Sequence, residues 1–282
     1  MPHRQATTQR LDGAGLELVV DSYGLAANPP VILLHGGGQT RHSWRNAGRE
    51  LARSGWYVLS MDQRGHGESD WVEDGNYQYD QFVDDLRSLI RSLDQPPVLV
   101  GASLGGIVGL LSQDQAEHPL LRALVLVDIV PQIKRGGERR IRDFMAGHPE
   151  GFATLEEAAQ AVAEYLPERR RPDSREGLRK NLRQHADGRY YWHWDKRMMA
   201  AFARAGAGAL EARMQAAAGR LQIPTLLIRG ELSDVVSPEG AADFLRTVPH
   251  AEFTEVAGAG HMVAGDDNDR FVGAVKQFLT KL

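Results

Sequence analysis

Pro97-Val98-Leu99-Val100-Gly101-Ala102-Ser103-Leu104-Gly105-Gly106-Ile107-Val108-Gly109-Leu110-Leu111 is the stretch on which the reading of this chain turns. A short apolar run leads into G-x-S-x-G, and the apolar residues beyond it begin well only as a helix. Strand, sharp turn and helix in that order predict a turn that exposes the Ser103 hydroxyl as a nucleophile. A serine held in such a strained turn leaves no room for side chains two positions away, where Gly101 and Gly105 stand. The pentapeptide alone is unspecific in a chain with 30 glycines. Its flanks distinguish it from a tight turn around a buried serine.

Composition narrows the remaining possibilities. At 282 residues, 42% hydrophobic and 25% charged, the chain has the make-up of an ordinary globular protein. That length suits one large domain, or a core carrying a smaller insertion. A formal net charge of -4 speaks against non-specific nucleic-acid binding. Cysteine is absent, which excludes disulfides, a thiolate nucleophile and cysteine-bound metals. Met1 to Gln5 run into polar residues without an apolar core, so no signal peptide is expected. No apolar run has the length of a bilayer span, and the expectation is a cytoplasmic protein that does not engage membranes.

Outward from Ser103 the chain alternates strands and helices. Leu16–Val20, Val31–Leu34, Trp56–Met61, Val98–Val100, Leu121–Val130, Ile223–Arg229 and Ala251–Val256 read as strands. Ser43–Ser54 reads as a helix ending at Gly55. Tyr79–Leu93 places Phe82, Leu86, Leu89, Ile90 and Leu93 on one face, and Asp269–Leu282 repeats that spacing with Phe271, Val275, Phe278, Leu279 and Leu282. Apolar strands alternating with helices predict an α/β protein, a mainly parallel sheet covered on both faces, with its site beyond the carboxyl ends of the strands.

The alternation breaks between about Pro131 and Leu221. From Lys134 to Arg197 there are 15 Lys and Arg against 11 Asp and Glu, so the stretch carries +4 and the rest of the chain -8. It shows helical patches, Leu155–Leu166 and the Ala-rich Ala200–Ala218 among them, and no apolar strand. Ninety residues are too many for a structureless loop in a compact domain. The expectation is a core of residues 1–130 and 222–282 with an inserted helical cap at 131–221.

Four loops follow strand ends. His35-Gly36-Gly37-Gly38 lets the backbone approach a ligand, and Gly37 with Leu104 supplies the two amides of an oxyanion hole. His35 itself reads as structural. Asp62-Gln63-Arg64-Gly65-His66-Gly67-Glu68-Ser69 reads as a loop held by its own polar side chains. In Gly230–Pro238 the expected triad acid is Asp234, with Asp128, at the end of another strand, as its rival. Ser237 and Pro238 there start a helix. His261, in Gly258-Ala259-Gly260-His261-Met262, is the expected general base.

Together these loops resemble the signature loops of the α/β-hydrolase superfamily, and the resemblance covers nearly the whole chain, least well in the insertion. The order Ser103, Asp234, His261 is that of the family's triad. The tail Ala257–Asp269 is similar to bacterial members described as esterases, non-haem haloperoxidases or epoxide hydrolases. Epoxide hydrolases and haloalkane dehalogenases of this fold carry aspartate where this chain has Ser103.

The resemblance implies a serine hydrolase acting on a carboxylic ester or lactone, with no metal and no organic cofactor. The expected partner is a small acyl substrate; the oligomeric state is not legible. Other chemistries on the same machinery are a perhydrolase and a C–C bond hydrolase, the latter favoured if Arg189 faces Ser103. A non-catalytic receptor is a third class. Tyr191, Trp192 and Trp194, with Met198 and Met199 nearby, are expected to wall the substrate pocket or, alternatively, to pack the cap on the core. Arg169-Arg170-Arg171 reads as a solvated face. His185 and His193 lack the spacing of a metal site.

Overall fold

In the computed structural model, which describes residues 6–114, 118–167 and 176–282, ten strands are formed. They are β1 Thr7–Asp12, β2 Glu17–Tyr23, β3 Pro30–Leu34, β4 Tyr57–Met61, β5 Val98–Ala102, β6 Ala123–Val127, β7 Leu182–Gln184, β8 Tyr190–Trp192, β9 Thr225–Gly230 and β10 Glu252–Val256. Eight of them make one sheet in the order β1-β2-β4-β3-β5-β6-β9-β10. From β4 to β10 every pairing is parallel, and only the β1–β2 and β2–β4 pairings are antiparallel. This is the mainly parallel sheet that the alternation of strands and helices predicts, in the α/β-hydrolase fold that the resemblance implies.

The helices of the body are α1 Arg45–Arg53, α2 Tyr79–Arg91 and α3 Leu104–Ser112. Between β6 and β9 lie α4 Arg135–Ala146, α5 Leu155–Tyr165, α6 Arg197–Ala205 and α7 Ala207–Gly219. Toward the carboxyl terminus come α8 Pro238–Thr247, α9 Val263–Asp266 and α10 Asn268–Leu279. Strand β3 shows why the sheet is covered twice. Ile32 and Leu34 enter the apolar cluster shared with α2 and α3, whereas Val31 and Leu33 enter the cluster shared with α1 and α10. Successive side chains of a strand point to opposite faces, so a run apolar throughout buries both.

Local chemistry sets several boundaries. Ser237 accepts a hydrogen bond from the Gly240 amide at 3.0 Å, capping α8 with Pro238 at its first position. The Ala-rich segment expected as one helix is two, because Gly206 stands between them at φ +76°. The insertion also holds a short antiparallel pair, β7 with β8, where no strand is expected from its sequence. Arg169-Arg170-Arg171 lies outside the described residues. Among the described residues no helix is long and apolar enough to cross a membrane.

Candidate active site

Ser103 sits at φ +46° and ψ -112°, between the end of β5 and the first residue of α3. Few non-glycine residues occupy that region, and such strain persists only where the surroundings enforce it. Those surroundings admit no side chains. A Cβ on Gly101 would lie 2.4 Å from the Gly105 carbonyl oxygen, and one on Gly105 would lie 2.4 Å from that of Leu34. On Gly106 it would meet Ile129 Cγ2 at 2.4 Å. The Ser103 amide donates to the Val127 carbonyl at 3.1 Å, tying the turn to the end of β6.

At that end stands Asp128, fully buried and itself at φ +51°. Its Oδ1 accepts the Gly230 amide at 3.0 Å, and its Oδ2 accepts the Ser233 hydroxyl at 2.5 Å. His261 Nδ1 lies 2.7 Å from the same Oδ2. A carboxylate there draws the imidazole proton to Nδ1 and leaves the Nε2 lone pair available for a proton. Ser233 is held in turn by accepting the Val235 and Val236 amides at 3.1 and 2.9 Å.

Asp234, the expected acid, is not at His261. Its carboxylate pairs with Arg140 of α4 at 3.0 Å, and both side chains are substantially exposed. The Gly230–Pro238 loop follows the right strand, but it turns Ser233 inward toward Asp128 and Asp234 outward toward the insertion. Ser233 is the residue that sequence reasoning passed over. The inward pair of amides it binds could not be foreseen from its spacing.

The His35–Gly38 loop is built from backbone amides and imidazoles. His35 Nδ1 donates to the Gly36 carbonyl at 2.8 Å, and its Nε2 accepts the Gln63 amide at 3.0 Å. Gln39 accepts the Gly36 amide at 3.0 Å and donates to Met262 beside His261, linking the loop to the histidine. The Gly37 amide makes no hydrogen bond with another described residue. Leu104, as the first residue of α3, has no acceptor for its amide within the helix. Both residues line one cavity with Ser103. In the 62–69 loop, Asp62 accepts the Arg41 and Glu68 amides at 2.6 and 3.0 Å. Arg64 clamps Asp85 at 2.6 and 2.7 Å, so this loop is a buried scaffold as its sequence suggests.

The cavity has a volume of about 290 Å³. Ile107, Ile129, Met145, Phe202 and Met214 are among the apolar residues of its wall. Arg135, Glu138, Arg142 and Glu211 also line it. Tyr191, Trp192 and Trp194 do not. Trp192 and Trp194 stack at 4.8 Å and pack against Phe144, and the Trp194 indole N–H donates to the Met145 carbonyl at 3.0 Å. They back Met145 from behind. Tyr191 faces the other side of the β7–β8 pair, where its hydroxyl donates to Asp187 at 2.9 Å. Arg189 donates to the Glu150 and Gly151 carbonyls at 2.7 and 3.0 Å and is likewise absent from the cavity wall.

Three histidines beside the site are buried and held neutral. Burial pushes His35 down to about 4. Burial and the neighbouring His35 push His66 down to about 3. Burial takes His193 well below its ordinary value. The unfolded chain therefore binds protons below about pH 6.5 that the folded chain excludes until near pH 4 and 3. Stability is full above pH 6.5 and falls as pH drops through that window, by several kcal/mol as an order of magnitude. Denaturant midpoints between pH 7 and pH 4.5 measure it. His66→Gln is expected to lower stability at pH 7 and flatten the dependence; an unchanged slope contradicts this account.

Residues 31–274 match the alpha/beta hydrolase family. Esterase Rv0045c of Mycobacterium tuberculosis is 29% identical over 89% of this chain and 83% of its own. The 3-hydroxybutyrate-oligomer hydrolase of Cupriavidus necator is 28% identical over 92% of each chain. Among solved structures, E-2-(acetamidomethylene)succinate hydrolase superposes with a TM-score of 0.84 at 25% identity, covering 98% of this chain and 100% of that one.

Proposed function

Because this chain belongs to the alpha/beta hydrolase family and is a hydrolase by its relatives, we propose that it is a serine hydrolase cleaving a carboxylic ester or lactone through an acyl-enzyme. The observation that carries this reading is Ser103 in a glycine-walled, strained turn on an apolar cavity, with His261 oriented by buried Asp128 at the adjoining strand end.

His261 Nε2 takes the Ser103 proton as Ser103 Oγ adds to the carbonyl carbon. The carbonyl oxygen becomes an oxyanion and accepts the amides of Leu104 and Gly37; each such donor is worth about 2.7–4 kcal/mol in a transition state. When the intermediate collapses, the C–O bond to the alcohol breaks and the alkoxide takes the proton from His261. Water then adds to the acyl carbon while giving a proton to His261, and collapse returns that proton to Ser103 and releases the acid. The segment 131–221 serves as a cap that encloses the acyl group. The substrate is a small molecule, and the chemistry requires neither metal nor organic cofactor. A C–C bond hydrolase lacks its favouring feature, since Arg189 is bound to backbone carbonyls elsewhere.

The apolar wall of the cavity that Ser103 lines makes chain length the test. Each methylene transferred from water into an apolar pocket is worth roughly 0.8 kcal/mol, about a fourfold gain in kcat/KM. The series p-nitrophenyl acetate, butyrate, octanoate is expected to rise on that scale from acetate to butyrate and to level off as the cavity fills. A flat or falling series contradicts the acyl-pocket reading.

A further inference from the structure

His193 belongs to the inserted segment, yet it is buried at 1% exposure and reaches into the core between two of its loops. Its Nδ1 accepts the Gly67 amide at 2.8 Å. A ring nitrogen that accepts carries no proton, so the neutral ring has its proton on Nε2. That proton faces the Gly38 carbonyl at 3.2 Å. The Gly38 amide, on its other side, donates to His66 Nε2 at 3.2 Å, and the His66 Nδ1–H donates to the Arg64 carbonyl at 3.1 Å. The three rings of His35, His66 and His193 form a row with centroids 4.9 and 5.9 Å apart.

Gly38 is thus gripped at its N–H by an imidazole of the core and at its C=O by an imidazole of the insertion. It adopts φ +73°, a conformation that glycine enters freely and leaves as freely. Nothing in its own side chain can hold it there. The residue before it is Gly37, which lines the cavity with Ser103 and whose amide makes no hydrogen bond with another described residue. Met145 packs over both glycines, its sulfur 3.3 Å from where a Cβ of Gly37 would stand, and the Trp194 ring lies 3.5 Å from the corresponding point of Gly38. These contacts fill space. The His66 imidazole holds the Gly37–Gly38 peptide by its N–H, and the His193 imidazole holds the next peptide by the Gly38 C=O. The two together fix the Gly38 backbone that follows Gly37, whose own peptide is tied at the Gly36 carbonyl to His35 and the Gln39 amide.

We propose that His193 is a positioning residue of the oxyanion site, fixing the Gly37–Gly38 backbone through the Gly38 carbonyl so that seating of the inserted segment completes the site. This deepens the hydrolase reading and rests on Gly37 as an oxyanion donor. A donor whose direction is set before reaction stabilises developing charge without reorganising, so its loss appears in kcat.

Two amide variants separate the two bonds. In H193N the side-chain oxygen can take the Nδ1 place and accept the Gly67 amide, but no donor reaches Gly38. In H193Q the longer amide takes the Nε2 place and donates to Gly38, while the Gly67 bond is lost. On p-nitrophenyl butyrate, H193N is expected to lose about tenfold in kcat, the factor for one hydrogen bond of ordinary worth, with KM within about threefold. H193Q is expected to retain more kcat than H193N. Wild-type kcat in H193N, or a greater kcat loss in H193Q, overturns the proposal.

Two measurements need no substrate. Amide hydrogen exchange over residues 36–39 is expected to quicken in H193N more than in H193Q at matched fractions folded; equal exchange overturns the proposal. In the wild-type protein at neutral pH, imidazole 15N shifts are expected to report His193 as the Nε2–H tautomer, and an Nδ1–H tautomer overturns the proposal even if neither variant folds. If the wild type cleaves no ester, the hydrolase reading falls on its own while these two measurements still decide whether His193 holds Gly38.

Discussion

Ser103→Ala is expected to lower kcat on p-nitrophenyl butyrate by about a million-fold, the scale on which a triad serine acts. The substitution removes Oγ and with it the acyl-enzyme, so the two-step route is closed rather than slowed. What remains is the cavity, the amides of Leu104 and Gly37 and His261, which together offer only residual stabilisation of a direct attack by water. KM is expected to change little, because the apolar wall that binds the acyl chain does not include the hydroxyl. The fold should tolerate the change, since Ser103 makes its structural bond through its backbone amide to Val127. Alanine at φ +46° is strained about as serine is. Steady-state kinetics on protein of matched thermal midpoint measures it. Activity above about one percent of wild type would point to a different nucleophile, since that loss is only two decades of the expected six.

The second large effect separates two aspartates. Asp128→Asn is expected to cost about ten-thousand-fold in kcat, whereas Asp234→Asn is expected to stay within about threefold, as befits one exposed ion pair. The reason lies in which oxygen has which partner. Oδ1 of Asp128 accepts the Gly230 amide, and Oδ2 faces His261 and Ser233. An asparagine keeps its carbonyl at Gly230, because an N–H there would confront another N–H. Its NH2 must then point at His261 Nδ1, which can only accept. The ring proton moves to Nε2, and the base that should take the Ser103 proton has none of its lone pair left for it. Asp234 has no such reach; its removal frees Arg140, half exposed at 48%. Comparable losses in both variants, or the larger loss in Asp234→Asn, would contradict the geometry.

The parts of this protein that were legible in its sequence are those fixed by local rules. The β5–Ser103–α3 unit could be read because an apolar run, G-x-S-x-G and a helical run stand in immediate succession. Gly101 answers a contact inside the turn with Gly105, whereas Gly105 and Gly106 also answer Leu34 and Ile129 from neighbouring segments. Strands β3, β5, β6 and β9 could be read because burial on both faces demands unbroken apolar runs. β1 could not: Thr7–Asp12 is a polar edge strand of mostly exposed and half-exposed residues, with no face that hydrophobicity marks. β7 and β8, three residues each, are too short to show a period.

The carboxylate that adjoins His261 was hidden for a different reason. Asp128 and Asp234 both follow strands at the carboxyl edge of the sheet, so order along the chain cannot separate them. What separates them is the left-handed backbone of Asp128 and the inward turn of Ser233, which are properties of the packed loops. The aromatic residues of the insertion misled through proximity. Trp192 and Trp194 stand one layer behind the cavity, where they support Met145, and only the fold of the β7–β8 pair determines that layer.

The claim on which the account rests is a covalent bond to Ser103. A fluorophosphonate ester, which phosphonylates an activated serine oxygen and stays there, followed by peptide mass mapping, tests it most directly. The expected result is one adduct per chain, on the peptide containing Ser103, formed in step with loss of ester hydrolysis, as fast in Asp234→Asn as in wild type and far more slowly in Asp128→Asn. Ester hydrolysis that survives full exposure to the reagent, or an adduct on any other residue, would contradict it.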